Sequence, residues 1–136
     1  MNDSVFRQFS SRLPAAADAK EIEPEAADDY GAFSILRGVR DSAKMLELRK
    51  KDGSITALGY GWLERIEFDP SDGLTLYFGS HKVTIGGRNL ATEVRPNVRL
   101  LDGLLRARVP WIKEASEPEV LKAAPGSLVI EEISIE

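Results

Sequence analysis

The sequence predicts a mostly β protein with flanking helices, an α+β chain built around a small five-stranded antiparallel barrel. The main observation is a run of short segments between residues 44 and 90 in which apolar and polar side chains alternate. Turn-forming pairs separate these segments at Asp52-Gly53, Asp72-Gly73 and Gly79-Ser80. Gly59 and Gly61 interrupt the longest segment, and glycines inside a strand mark the bulges or tight bends that close a small barrel.

The strands of this barrel follow from the alternation and the turn residues. The expected strands are Lys44–Lys50, Ser54–Phe68, Leu74–Phe78, Lys82–Ile85 and a brief fifth at Ala91–Val94, ended by Pro96. The aromatic residues Tyr60 and Trp62 flank the bend in the second strand, where we expect them to cover the mouth of the barrel.

Helices are expected on both sides of the barrel. Asp28 or Asp29 can cap an N-terminal helix that runs to Arg40 with its apolar residues on one face. Asn97 can cap a second helix that Pro110 ends. A short helix at 118–124 and a terminal strand at 127–136 complete the prediction, and that strand must pair with something because an unpaired apolar strand invites aggregation.

Length and composition set limits on the class of protein. A chain of 136 residues predicts one domain, and no run of about 18 apolar residues is available to span a bilayer. The first seven residues carry charge without an apolar block, so we expect no secretory signal and a cytoplasmic location. The absence of cysteine excludes disulfides, thiolate zinc sites and a cysteine nucleophile.

Charge is segregated along the chain more strongly than the net charge of −4 suggests. Residues 1–30 hold seven acids against three bases, residues 31–110 hold thirteen bases against nine acids, and residues 111–136 hold six acids against two bases. The predicted organisation is a mobile acidic arm at 1–29, a barrel domain with flanking helices at 30–110, and a C-terminal extension at 111–136. A basic middle can attract a polyanion, although solvating acidic tails around an ordinary domain explain the same pattern.

One run of residues resembles a known family. Ile85-Gly86-Gly87-Arg88-Asn89-Leu90 is similar to the second signature of the Sm-like family, bacterial Hfq and the LSm proteins, which reads apolar, Arg, Gly, any, Asn, apolar. Gly86 stands in place of the family arginine. The segment 61–67 is similar to the family's Gly-x-Leu-x-x-apolar-Asp, with Glu67 in the Asp position, and the likeness covers about residues 30–95.

The resemblance implies a ring-shaped homo-oligomer that binds single-stranded RNA. Asn89 would then read a base edge, and Arg88 would substitute for the missing arginine. Phe68 or Asp69 would lie where family members place the residue that stacks on a base. Cations to meet phosphate are present as well, and the complete set of candidate nucleic-acid-binding residues is Arg88, Asn89, Phe68, Lys82, Arg49, Lys50 and Lys51.

Each of these residues also has a purely structural explanation. Asn89 can bond its own turn, Phe68 alternates with Ile66 as a core residue would, and basic residues at a turn are usually just solvated. A second hypothesis therefore stays open: a protein-interaction or assembly module that uses barrel edges and the terminal strand to bind another chain by strand addition. A small-molecule pocket inside the barrel is a third.

No catalytic constellation is found in the sequence. His81 is the only histidine and has no nucleophile motif beside it, so neither a multi-histidine metal site nor a triad is expected. No phosphate-binding glycine loop with Lys-Ser or Lys-Thr is present. We therefore expect a non-enzymatic protein without a cofactor or metal.

Overall fold

The computed structural model describes residues 27–38 and 40–136, and these residues are mostly strands. The eleven strands are β1 (Ala27–Asp29), β2 (Ser34–Leu36), β3 (Met45–Arg49), β4 (Ile55–Gly59), β5 (Leu63–Asp69), β6 (Gly73–Phe78), β7 (His81–Arg88), β8 (Glu93–Arg95), β9 (Val98–Arg99), β10 (Trp111–Lys113) and β11 (Val129–Ile135). The two helices are α1 (Leu100–Leu105) and α2 (Glu117–Lys122).

The strands form two main sheets and two small hairpins. One main sheet has the order β11-β7-β6-β5 and is antiparallel throughout. The other has the order β10-β3-β4, with β3 antiparallel to β4 and parallel to β10. The hairpins are β1-β2 and β8-β9.

The turns between the central strands depend on glycine at a left-handed backbone conformation. Gly53, Gly73 and Gly79 have φ of 93°, 95° and 58°, values that a side chain with a Cβ rarely adopts. In the first turn the Oδ1 of Asp52 accepts hydrogen bonds from both the backbone N and the Oγ of Ser54, at 2.8 and 2.6 Å. These bonds lower the pKa of Asp52 below its ordinary value, because they stabilise the carboxylate.

One hydrophobic core joins the two main sheets. Alternate residues of β3, β6 and β7 point into it, as the two-residue period of a strand requires. The remaining members come from Phe33 just before β2, from α1, β10 and β11, and from the loops at Leu90 and Val109. The buried cluster is Phe33, Leu46, Leu48, Leu74, Leu76, Phe78, Val83, Ile85, Leu90, Leu100, Leu104, Val109, Ile112, Ile130 and Ile133.

The predicted closed barrel is wrong, because the strands lie in separate sheets. β4 and β5 follow each other through a 3-10 turn at Tyr60–Trp62, yet each is the outer strand of a different sheet. Closure would need neighbouring strands around the whole circuit, and β10 and β11 instead supply the outer strands beside β3 and β7. Segment 111–136 thus contributes a strand to each main sheet.

The predicted N-terminal helix is also wrong. Residues 27–29 pair antiparallel with residues 34–36, so the segment is a hairpin. The hairpin is held by the body of the protein, since the backbone N of Leu36 in β2 donates to the carbonyl of Arg108, and the backbone N of Lys113 donates to the carbonyl of Ala32 in the turn. These tertiary bonds outweigh a weak local preference for helix.

The predicted helix after the central strands starts later than expected. Asn97 has a φ of 65° and lies between β8 and β9, and the residue that precedes the helix is Arg99. The strand expected at 127–136 is present at Val129–Ile135 and is hydrogen-bonded to β7. Most of the arm predicted at 1–29 lies outside the described residues, and its last three residues form β1. Neither described helix has the length and apolarity to cross a membrane.

Candidate functional site

The candidate site is the outer edge of β4. No strand of the described residues pairs with β4 on the side away from β3. The five residues of β4 are Ile, Thr, Ala, Leu and Gly, so the strand carries no charge. An uncharged edge strand without proline is a template for pairing with another chain.

The register with β3 fixes which backbone groups face outward. The backbone N of Lys50 donates to the carbonyl of Ser54, and that of Tyr60 donates to the carbonyl of Lys44, each at 2.9 Å. Hydrogen-bonded and non-bonded pairs alternate in an antiparallel ladder, so Thr56 and Leu58 bond to β3.

The remaining three residues of the strand, Ile55, Ala57 and Gly59, therefore direct their N–H and C=O groups away from β3. No backbone hydrogen bond to these groups is found among the described residues. Within the part of the chain that the structure describes, the outward side of β4 thus presents three donor and acceptor pairs, on alternate residues, that a partner could bind.

The edge formed by β5 is protected by charge. Four of its seven residues, Glu64, Arg65, Glu67 and Asp69, are charged and exposed. The guanidinium of Arg65 lies 5.2 Å from the centroid of the Tyr77 ring, and the Tyr77 hydroxyl donates to Glu67 at 3.3 Å. Charged side chains along an edge oppose the approach of another strand.

The other two outer strands of the main sheets are covered by the chain itself. Beside β11, the carboxylate of Glu114 accepts a hydrogen bond from the backbone N of Ile133 at 2.6 Å, and the carbonyl of Ile130 accepts one from Ala115 at 2.8 Å. Beside β10, Phe33 forms an isolated bridge with Ile112. The C-terminal strand, which the sequence offered as a binding edge, is therefore occupied on both sides.

A groove opens at the end of β4 where the chain turns into β5. It has a volume of about 510 Å³ and is lined by residues of β4 together with Trp62, Phe78, Gly79 and His81. Trp62 is 72% exposed, so it does not cover the mouth of a barrel as the sequence suggested. An exposed tryptophan beside a groove is a typical anchor for an apolar side chain of a partner.

The opposite end of β4 is basic. Lys50 and Lys51 lie in the turn before β4, where the backbone N of Lys51 donates to Glu114 at 2.8 Å. The guanidinium of Arg49 stacks on Trp111 at 4.5 Å from the ring centroid and pairs with Glu47 at 3.0 Å. An extended partner beside β4 would meet positive charge at this end and the apolar groove at the other.

The seven predicted nucleic-acid-binding residues fall into separate groups. Phe68 and Asn89 line one cavity of about 420 Å³, but the Asn89 side-chain amide donates to the carbonyl of Ser127 at 2.8 Å. Arg88 points elsewhere, with its Nε 3.1 Å from Glu131 and its Nη2 donating to the carbonyl of Val120.

The remaining predicted cations do not line this cavity. Lys82 is paired with Tyr77 near the start of β7. Arg49, Lys50 and Lys51 belong to the other main sheet and its turn. The Sm-like RNA-binding site stays a prediction, with two of its seven residues gathered around one cavity.

Sequence reasoning missed Ile55, Ala57 and Gly59 as candidate binding residues. The available signal was the absence of charge from 55 to 59, in a chain where charged residues make up 29% of the whole. That signal alone could not reveal which side of the strand is unpaired.

No cluster of three or more metal-ligating side chains occurs in 27–38 and 40–136. Comparison with protein-family models, with curated proteins and with solved structures finds no match to this chain. The candidate site consequently stands on its geometry.

Proposed function

We propose that this chain is a non-enzymatic protein-interaction module that accepts an extended segment of another chain as an additional strand beside β4. The observation that carries the proposal is the uncharged edge with the outward N–H and C=O groups of Ile55, Ala57 and Gly59. Strand addition draws its affinity from such main-chain hydrogen bonds and its specificity from pockets for alternate side chains.

The two ends of β4 define the chemistry of the segment that fits. The groove beside Trp62 suits an apolar or aromatic side chain, while Lys50 and Lys51 suit an acidic one. Among foreign peptides, the best match to both ends is an extended segment with uncharged β-branched residues in the middle, an apolar residue at one end and acidic residues at the other. A cytoplasmic location is part of this proposal, and imaging of a fluorescent fusion checks it.

A displayed library of ten-residue peptides with this pattern tests the proposal. Selected peptides should bind the full chain and lose at least about tenfold in affinity, about 1.4 kcal/mol, to an Ala57→Pro variant. Proline removes the central outward N–H, and the bonds to β3 are retained because Ala57 makes none. The matched control, Ala57→Val, keeps the amide and should bind as the wild type does.

The outcome that contradicts the proposal is equal peptide affinity in the wild type and the Ala57→Pro variant, with thermal melting confirming that both are folded. Titration with labelled oligouridine at two salt concentrations addresses the RNA hypothesis separately. Salt-sensitive binding that is lost on joint Arg88→Ala and Asn89→Ala substitution would favour RNA as the ligand.

A further inference from the structure

We propose that the segment added beside β4 is β4 of a second copy of this chain, which gives a two-fold symmetric dimer centred on Ala57. This inference rests on the proposed function, because it uses the same open edge. It identifies the partner as the chain itself and fixes the register of the pairing.

The register follows from the outward backbone groups. When two β4 strands run antiparallel with Ala57 opposite Ala57, Ile55 of each copy lies opposite Gly59 of the other. All three outward residues of each strand then face outward residues of the other, and each opposed pair exchanges two hydrogen bonds. A shift by two residues in either direction leaves one end unpaired. An interface in which one patch meets itself is the isologous arrangement of most dimers.

The side chains fit this register as well. Ile55 is 57% exposed and Gly59 has no side chain, so the largest residue of the edge meets the smallest. A Cβ built on Gly59 would lie 3.4 Å from the Trp62 ring and 3.7 Å from the sulfur of Met45. Opposed residues in a ladder project to the same face, so Ile55 of the second copy would pack beside Trp62 and Met45.

The three apolar side chains at this contact are otherwise open to solvent. Met45, Ile55 and Trp62 are 46%, 57% and 72% exposed. Pairing two copies would bring these side chains together twice, once at each end of the interface. Burial of such exposed groups is the main favourable term in association.

Charge does not oppose the pairing. Like charges that face each other across an edge are destabilising, and β4 brings none to the interface. The basic turns at Lys50–Lys51 lie at opposite ends of the paired strands. Lys50 lies level with Ser54, three residues from Ala57, so the turns are roughly 20 Å apart along the strands at about 3.3 Å per residue. That separation exceeds two Debye lengths of about 8 Å at physiological salt, so repulsion between the turns is largely screened.

The dimer should be weak. Two five-residue strands with a few apolar side chains bury less than the roughly 1,200 Å² that specific stable interfaces usually require. A Kd of roughly 10 to 100 µM is expected on that basis. The monomer–dimer equilibrium would therefore respond to protein concentration in the cell.

Disulfide trapping of the full chain tests the register directly. The chain contains no cysteine, so a single introduced cysteine can form a disulfide only between copies. Ala57→Cys places the two Cα atoms about 5.5 Å apart, within disulfide range, and should yield a covalent dimer on mild oxidation. Thr56→Cys is the control, since its side chain projects to the opposite face and, in the proposed register, would lie opposite Leu58 of the second copy. Trapping by Thr56→Cys rather than Ala57→Cys would overturn the proposed register.

Sedimentation and amide exchange complete the test. We expect the wild type to pass from monomer to dimer as its concentration rises, and Ala57→Pro to raise the Kd at least about tenfold. A wild type that stays monomeric with a rapidly exchanging Ala57 amide overturns the dimer and leaves strand addition by another partner intact. A monomer in which that amide exchanges slowly overturns both proposals, because the chain itself must then cover the edge.

Discussion

The edges formed by β4 and β5 lie on either side of one short turn and differ in the charge of their side chains. β5 carries charge at four of seven positions, whereas β4 carries none. Among residues 27–38 and 40–136 both strands are outermost in their sheets, and the uncharged side chains of β4 leave its edge open to a strand partner. An edge strand is therefore available as an interaction site when its side chains carry no charge to oppose an approaching strand.

The outer edge of β11 is covered by the side chain of Glu114. Removing that side chain should lower the free energy of unfolding more than any other change considered below. Glu114→Ala removes the buried carboxylate that accepts hydrogen bonds from the backbone N of Lys51 and Ile133. Two donors are then left without partners at about 1–3 kcal/mol each, so we expect a loss of roughly 3 kcal/mol in the free energy of unfolding. Urea denaturation measures it.

Glu114→Gln is the matched variant for that experiment. Glutamine keeps one acceptor oxygen and places an NH₂ group where the other oxygen accepted a bond. The free energy of unfolding of this variant should therefore lie between those of the wild type and the alanine variant. An alanine variant as stable as the wild type would contradict the structural role of Glu114.

Ile55→Lys should convert the open edge into a defended one. The substitution places a charge where β4 would meet an added strand, so affinity for selected peptides and for a second copy should fall at least about tenfold, about 1.4 kcal/mol. Ile55 is exposed, so the free energy of unfolding of the monomer should change by less than about 0.5 kcal/mol. Sedimentation and peptide titration read the first effect, and urea denaturation reads the second. Ile55→Val is the control and should retain the affinity.

Tyr60 fixes the turn that separates the two edges. Its hydroxyl donates to the carbonyl of Val109 at 2.7 Å, and Tyr60→Phe should cost about 1 kcal/mol of stability. Burial raises the pKa of Tyr60 well above its ordinary value, because the phenolate would lose its hydration in the interior.

The alkaline pH dependence follows from that shift. The folded state binds the Tyr60 proton more tightly than the unfolded state does, so the associated stability is fully present below about pH 10 and falls as the pH rises beyond it. Denaturation curves from about pH 9 to 11 should show a shallower decline for Tyr60→Phe than for the wild type. Parallel declines would rule out Tyr60 as the source.

Removing charge from β5 should have the smallest effect on stability and still open a second edge. The double substitution Glu64→Thr and Glu67→Thr acts on exposed side chains, so the free energy of unfolding should change by less than about 0.5 kcal/mol. Species larger than a dimer should appear in sedimentation at high concentration. Glu117→Thr with Glu136→Thr removes the same charge elsewhere and should not produce them.

Local patterns predicted the central hairpins well. The turns at 52–53, 72–73 and 79–80 were recognisable because glycine at positive φ is needed there whatever the rest of the fold does. Alternating apolar residues such as Leu46 and Leu48 identified the buried face of β3, since the period of a strand is fixed by its geometry.

The same patterns gave wrong predictions where the structure of a segment depends on the distant residues with which it pairs. Residues 28–40 have spacing compatible with a helix, yet 34–36 form a strand because they meet residues 27–29 and lie beside Arg108. The closed barrel failed for the same reason. Strands from 111–113 and 129–135 take the positions beside β3 and β7, and no local signal states which strands will be neighbours.

The candidate site was only partly predictable. The basic turn at 49–51 and the aromatic Trp62 were visible in the sequence, but their role was assigned to RNA and to a barrel mouth. The open edge of β4 depends on which of its residues bond to β3 and on the absence of a further strand beside it among the described residues. Both are properties of pairing rather than of residue type.

Turn chemistry and strand alternation act within a few residues, so the amino-acid sequence alone was enough to predict a β-rich chain with three tight hairpins. It also shows a cysteine-free composition and an uncharged segment at 55–59. The outermost position of β4 in its sheet and the covering of β10 and β11 depend on tertiary pairing. A backbone donor or acceptor is available for binding when no other group pairs with it, and pairing across a sheet joins residues far apart in the chain.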